Sequence, residues 1–102
     1  MVQLGILYQN GSGVAKDHSE AFRLYHLAAN HGDSRAQANV GYAYEHGEGV
    51  NKDLVEAAKW YRLSAEQGYA RGQQNLGKLY RRGVGVEKDY VEAMKWYRLA
   101  AD

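Results

Sequence analysis

The chain has no cysteine and no proline. Without thiols there is neither a disulfide framework nor a thiolate metal site, and a reducing or an oxidising compartment is equally open. The lack of proline suits an all-helical chain whose loops are set by its 12 glycines. Apolar residues make up 45% of the sequence, yet no run approaches the ~20 residues needed to cross a bilayer. The opening Met1-Val2-Gln3-Leu4-Gly5 lacks the charged and apolar regions of a signal peptide, so a soluble chain is expected. Charge of one sign is missing too. Thirteen Lys and Arg against 12 Asp and Glu leave +1, so no global field draws in nucleic acid or an acidic membrane. At 102 residues the chain is one domain or one stack. A globule of this size buries only about two thirds of its unfolded surface, so its stability has to come from close packing.

What the chain does have is a period of 36 residues. Gly5, Gly41 and Gly77 obey it, as do Tyr8, Tyr44 and Tyr80, Gly13, Gly49 and Gly85, Asp17, Asp53 and Asp89, and Tyr25, Tyr61 and Tyr97. Residues 38–66 and 74–102 share 17 identities over 29 positions, against 12 for 2–30 and 38–66, so the second and third copies are the more alike. Self-similarity at this spacing marks a solenoid built from one supersecondary unit. The copies run over about 1–34, 35–70 and 71–102, with the first shortened at its N-terminus. Catalysis seldom needs its residues in triplicate, so the repeat reads first as a scaffold.

One unit is a helical hairpin. Over Arg35–His46, Ala36, Val40, Ala43 and Tyr44 fall on one face of a first helix, A. Gly41 costs about 1 kcal/mol in mid-helix, and its recurrence points to a close approach by a second helix. Gly47 and Gly49 permit positive φ beyond the helix end. Asp53 and Glu56 have capping-box spacing, repeated at Asp17/Glu20 and Asp89/Glu92. Helix B then runs to about Glu66, with Leu54, Ala57, Ala58, Tyr61 and Ala65 on one stripe and Trp60 and Ser64 beside it. Short turns make the neighbours antiparallel and the stack a right-handed superhelix.

The string L/V-G-x-x-Y-x-x-G-x-G-V-x-K-D-x-x-E-A-x-x-x-Y, matched by Leu4–Tyr25, Val40–Tyr61 and Leu76–Tyr97, resembles the Sel-one-like repeat, a relative of the tetratricopeptide repeat. The first copy departs at Leu24, where the others carry Trp60 and Trp96. The resemblance covers essentially the whole chain. It implies an all-α, α/α superhelical solenoid whose A helices line a concave groove, used as a non-catalytic protein- or peptide-binding adaptor.

The sharper chemical readings fail on spacing. The Gly11–Gly13, Gly47–Gly49 and Gly83–Gly85 loops lack the preceding strand and the Gly-Lys-Ser/Thr ending of a phosphate loop. His18, His26, His31 and His46 have no i, i+4 partner and no counterpart in other copies, so they read as exposed variable positions. Most aromatics recur at packing positions, leaving Tyr42, Tyr69 and Tyr90 available for a functional role and no stacking platform for nucleic acid. No carboxylate pair and no Ser-His-Asp set is suggested, so neither an enzyme nor a cofactor is expected.

Specificity belongs where the copies differ. The open face of helix A is expected to carry Ala38, Tyr42, Glu45 and His46, with Asn39 at its edge. Gln3 and Ile6 correspond in copy one, and Asn75, Lys78, Arg81 and Arg82 in copy three. The groove then runs from apolar Ile6 through Tyr42 and Glu45 to a basic end, which suits a peptide carrying an acidic side chain or a carboxylate. The Gln3, Asn39 and Asn75 column could hydrogen-bond an extended backbone or merely solvate the groove. Two other classes stay open, a consensus-like or excised structural fragment without a ligand and the regulatory domain of an enzyme. Neither end carries a polar cap, so homo-oligomerisation through the ends is expected, with the N-terminal end favoured because Leu4, Leu7 and Tyr8 gain most.

Overall fold

A computed structural model describes residues 17–101. The described residues form α1 (His18–Asn30), α2 (Ser34–His46), α3 (Leu54–Glu66), α4 (Ala70–Arg82) and α5 (Tyr90–Ala101), with no strand among them. In repeat terms α2 and α4 are A helices, and α1, α3 and α5 are B helices. Each helix packs on its neighbours in sequence, and α2 also touches α4. The A helices of consecutive copies therefore lie side by side. This is the all-α repeat stack expected from the period.

Each element starts and stops for local reasons. Asp17, Asp53 and Asp89 accept from the backbone N–H of Glu20, Glu56 and Glu92 at 3.0–3.1 Å, satisfying a donor that the first turn leaves orphaned. The reciprocal half of the expected capping box is not made. The N–H groups of Asp53 and Asp89 donate instead to the carbonyls of Tyr44 and Tyr80, both at 2.9 Å, which close the loops. Their glutamates turn outward to a basic residue three positions on. Glu56 meets Lys59 at 3.2 Å and Glu92 meets Lys95 at 3.5 Å, while Glu20 takes Arg23. Such exposed pairs are screened by solvent and add little to stability.

The loop glycines do more than turn the chain. Gly49 and Gly85 have φ of 79° and 74°, and a Cβ on either would run into the backbone carbonyl of His18 or Leu54, the first residue of the preceding B helix. Each loop thus lies directly on the helix one copy earlier. Gly13, the third member of that column, lies outside the described residues, as do the other residues of copy one before Asp17.

The core forms two linked clusters. One gathers Ala21, Tyr25, Ala28, Ala29, Ala36 and Val40, and the other gathers Ala57, Ala58, Tyr61, Ala65, Leu76, Leu79 and Trp96. Alanine prevails because the helices approach closely. Trp60, expected in the core, is half-buried at the edge of the first cluster, its ring 5.4 Å from that of His26. Trp96 is buried, and its indole N–H has no partner among the described residues.

Candidate functional site

The candidate site is built on the outward faces of α2 and α4. Buried Gly72, Gln73, Leu76, Gly77 and Leu79 form the inner side of α4. Gln74, Asn75, Lys78, Arg81 and Arg82 follow one another at helical spacing on the opposite side, all exposed but half-buried Asn75. Lys78, Arg81 and Arg82 have no ion pair or hydrogen bond among the described residues.

The corresponding face of α2 is already engaged. The Tyr42 ring lies 4.2 Å from that of His46, and Tyr42 packs against the second core cluster. Glu45 accepts a 2.6 Å hydrogen bond from the Tyr61 hydroxyl and stands 3.8 Å from His46 Nε2. Burial, and secondly that bond to a carboxylate, pushes the Tyr61 phenol far above the usual tyrosine range. Asn39 is half-buried in a narrow crevice against Ala21, Phe22 and Tyr25 of α1. Ala38, expected on the open face, is only 1% exposed and belongs to the core.

Of the named residues, the structure brings Glu45 and Arg82 together. With His46, Lys52, Leu54 and Val84 they line a cleft of about 190 Å³ between copies two and three. Gln3 and Ile6 lie outside the described residues. Arg62 is half-buried at the seam between copies two and three. Its guanidinium lies 5.5 Å from the Tyr80 ring centroid and donates to the Tyr80 hydroxyl across α3 and α4. Among the histidines, His31 and His46 are exposed as expected, while His26 packs between Phe22 and Trp60. The described residues hold no group of three or more His, Cys, Asp or Glu that could bind a metal, and none of their helices is long and apolar enough to cross a membrane.

A second amide column escaped the sequence reading. Gln37 and Gln73 are buried, and each donates from Nε2 to the carbonyl of a last-turn alanine in the preceding B helix, Ala29 at 3.3 Å and Ala65 at 3.2 Å. Gln67 joins the first of these by donating to Gln37 Oε1 at 2.8 Å and to the Gly32 carbonyl at 2.9 Å. These amides fasten the A helix to the preceding B helix by adding a second donor to helix-end carbonyls that already accept from the Gly32 and Gly68 backbone N–H groups. Their spacing of 36 is visible, but a glutamine in a helix carries no sequence signal of burial.

Helical hairpins in tandem, with glycine loops seated on the preceding copy and glutamines tied to its helix end, define a tetratricopeptide-like repeat stack. The profile of the Sel1 repeat matches three times, over residues 1–33, 34–69 and 70–102. The chain belongs to the Sel1 repeat family, generally a non-catalytic scaffold fold and typically a protein-interaction module. Two crystal structures are close to it. A Sel1 repeat protein from Oxalobacter formigenes is 45% identical with a TM-score of 0.92, over 97% of this chain and 41% of that one. The second is c5321, a protective antigen present in uropathogenic Escherichia coli strains that displays an SLR fold. It is 47% identical with a TM-score of 0.95, over 98% of this chain and 21% of that one. The chain thus spans less than half the length of either. Comparison with curated proteins gives no match.

Proposed function

We propose that the chain is a peptide-binding adaptor whose A-helix face receives a segment carrying an acidic side chain or a carboxylate end. One observation carries this reading. The three cations Lys78, Arg81 and Arg82 share one face of α4, are exposed, and have no charge partner among the described residues. Cations at i, i+3 and i+4 repel one another, so an anionic ligand relieves that repulsion as well as adding its own hydrogen bonds. Arg82 opens onto the cleft shared with Glu45, His46 and Lys52, and Asn75 lies one turn from Lys78 on the same face. The peptide backbone would run along Asn75 and Asn39, with its acidic group at Arg81 and Arg82.

The test is fluorescence anisotropy with a labelled Asp/Glu-rich peptide ending in a free carboxylate, beside its amidated and Asn/Gln-substituted versions. Binding should weaken with salt, and the Lys78→Ala/Arg81→Ala/Arg82→Ala variant should lose on the order of 10-fold or more in affinity. Equal binding of the neutral peptide, or no loss in the triple variant, would remove the basic end from the reading. A pull-down with both proteins then separates an adaptor from an inert repeat fragment.

A further inference from the structure

The two described seams between consecutive copies differ at the loop end of the stack. Where the first copy meets the second, His18 and Glu48 face each other across the seam, with His18 Nδ1 3.8 Å from the Glu48 carboxylate. One period later the same two positions hold Leu54 and Val84. Both are half-buried, and with Glu45, His46, Lys52 and Arg82 they line the cleft of about 190 Å³. The repeat does not require this apolar pair. The column of Val84 carries Ser12 and Glu48 in the other copies, and that of Leu54 carries His18 and Tyr90. Beside the pair stand two cations, Lys52 and Arg82, both exposed and without an ion pair or hydrogen bond among the described residues. Glu45, the one carboxylate of the lining, is already engaged by the Tyr61 hydroxyl at 2.6 Å and lies 3.8 Å from His46 Nε2. One small volume therefore offers free cations next to apolar surface. Its walls come from the second and third copies, so it lies inside the stack rather than at its end.

We infer that this cleft seats the last residue of a partner chain, with its free carboxylate on Lys52 and Arg82 and its aliphatic side chain on Leu54 and Val84. The inference rests on the adaptor reading and names the part of the peptide that the site selects. A terminal carboxylate and the side chain of the same residue branch from one carbon atom, so a terminal Leu, Ile or Val presents charge and apolar surface side by side. An internal Asp or Glu carries its charge at the tip of the side chain and would leave Leu54 and Val84 facing water. Size agrees. Pockets for whole drug-sized ligands hold about 300–1,000 Å³, so a cleft of about 190 Å³ takes a single residue. The guanidinium fork of Arg82 matches the two oxygens of a carboxylate, and Lys52 adds a point charge. The His46 ring, held against Tyr42 at 4.2 Å between centroids, forms another part of the lining. Direction agrees as well. Lys78, Arg81 and Arg82 run toward the C-terminal end of α4 and so toward the cleft. Acidic residues that precede the terminus then lie over Lys78 and Arg81.

Fluorescence anisotropy tests it with labelled peptides that share an Asp/Glu-rich body and differ in their last residue. The peptide ending in Leu with a free carboxylate should bind best. Amidating that end, or ending the peptide in Gly or Asp, should each weaken binding by on the order of 10-fold. Lys52 is exposed and lies outside α4, so Lys52→Gln should keep the circular dichroism of the parent. That variant should lose about 5-fold in affinity for the free Leu-ended peptide and little for the amidated one. Nuclear Overhauser effects from the methyl groups of the terminal Leu should reach those of Leu54 and Val84. Equal affinities across the peptide series would overturn the inference. So would an equal loss in Lys52→Gln for the free and amidated peptides, or the absence of those methyl contacts in the complex. If the Lys78→Ala/Arg81→Ala/Arg82→Ala variant still loses affinity in such a case, the adaptor reading stands on α4 and only the cleft falls. If no peptide of the series binds, both fall.

Discussion

Gly41 and Gly77 occupy the same position in two copies, yet replacing each by alanine should have unequal consequences. A glycine in a helix interior costs about 0.8–1 kcal/mol relative to alanine, so the bare backbone term favours both substitutions. The added Cβ decides the sign. At Gly41 it would land 2.6 and 2.7 Å from two carbons of the Tyr61 ring, where carbon atoms prefer about 3.5–4.0 Å. Tyr61 is fully buried and its hydroxyl is held by Glu45, so the ring has nowhere to yield. Overpacking of this kind costs about 1–3 kcal/mol, and the upper part of that range applies to a ring fixed at both ends. Gly41→Ala should therefore lose about 1–2 kcal/mol net of the helical gain. At Gly77 the nearest ring carbons, of Tyr97, stand 3.1 and 3.2 Å away, and Tyr97 is half-buried. A small tilt relieves that contact, and Gly77→Ala should stay within about 0.5 kcal/mol of the parent. Urea unfolding followed by circular dichroism, with unchanged slopes, measures both. A Gly41→Ala variant as stable as the parent, or a Gly77→Ala variant losing as much as Gly41→Ala, would refute the reasoning.

Gly49→Ala should cost more than Gly47→Ala, by about 1 kcal/mol or more, although both residues have positive φ. The Gly49 Cβ would strike the His18 carbonyl, while that of Gly47 finds nothing nearer than 3.4 Å; thermal midpoints that coincide would contradict this. Arg62→Ala should lose about 0.5–1.5 kcal/mol through its contacts with Tyr80, against at most a few tenths for exposed Arg71→Ala, again by urea unfolding. The Tyr61 phenol titrates higher in the folded chain than in the unfolded one, so its contribution is complete below about pH 10 and lost as pH rises beyond it. The stability of Tyr61→Phe should accordingly fall less steeply above that pH, though Tyr25 and Tyr44, also raised by burial, keep part of the slope; an unchanged slope would exclude Tyr61 as a source.

The sequence carried the fold because the repeat's structural positions are restrictive. A glycine at a carbonyl contact, an aspartate at a helix start and an alanine between helices each admit few alternatives, so they recur and can be read. The seam side chains were less legible. The burial of Arg62 carries no sequence signal, since nothing in a single copy reveals that Tyr80 of the next one stands opposite it. Gln37 and Gln73 were missed for the same reason, because their partners are backbone carbonyls without a residue signature. Capping spacing at Asp53 and Glu56 permits both hydrogen bonds, but the Asp53 N–H has a competing acceptor in the Tyr44 carbonyl. On the candidate face, charge could be read from sequence but engagement could not. Tyr42 and Glu45 stood out as variable, and only the coordinates show them tied to His46 and Tyr61 while the cations of α4 have no such partners.

Two kinds of contact therefore divide the work of the stack. Spacing between copies is set by contacts that repeat without change: glutamine to an alanine carbonyl and loop glycine on a helix start. These use backbone atoms or the absence of a side chain, and so would fit any copy against any other. The seam columns do not repeat. Phe22 and His26 meet Tyr44 and Trp60 through ring edges, whereas Ala58 and Arg62 present a small surface and a cation to copy three. Exchanging copies would preserve the spacing contacts and the tyrosine column of Tyr44 and Tyr80, but would change what that tyrosine meets, a phenyl ring in one seam and a guanidinium in the other. What differs from seam to seam is thus carried by the B helices, in the side chains that each presents to the following copy.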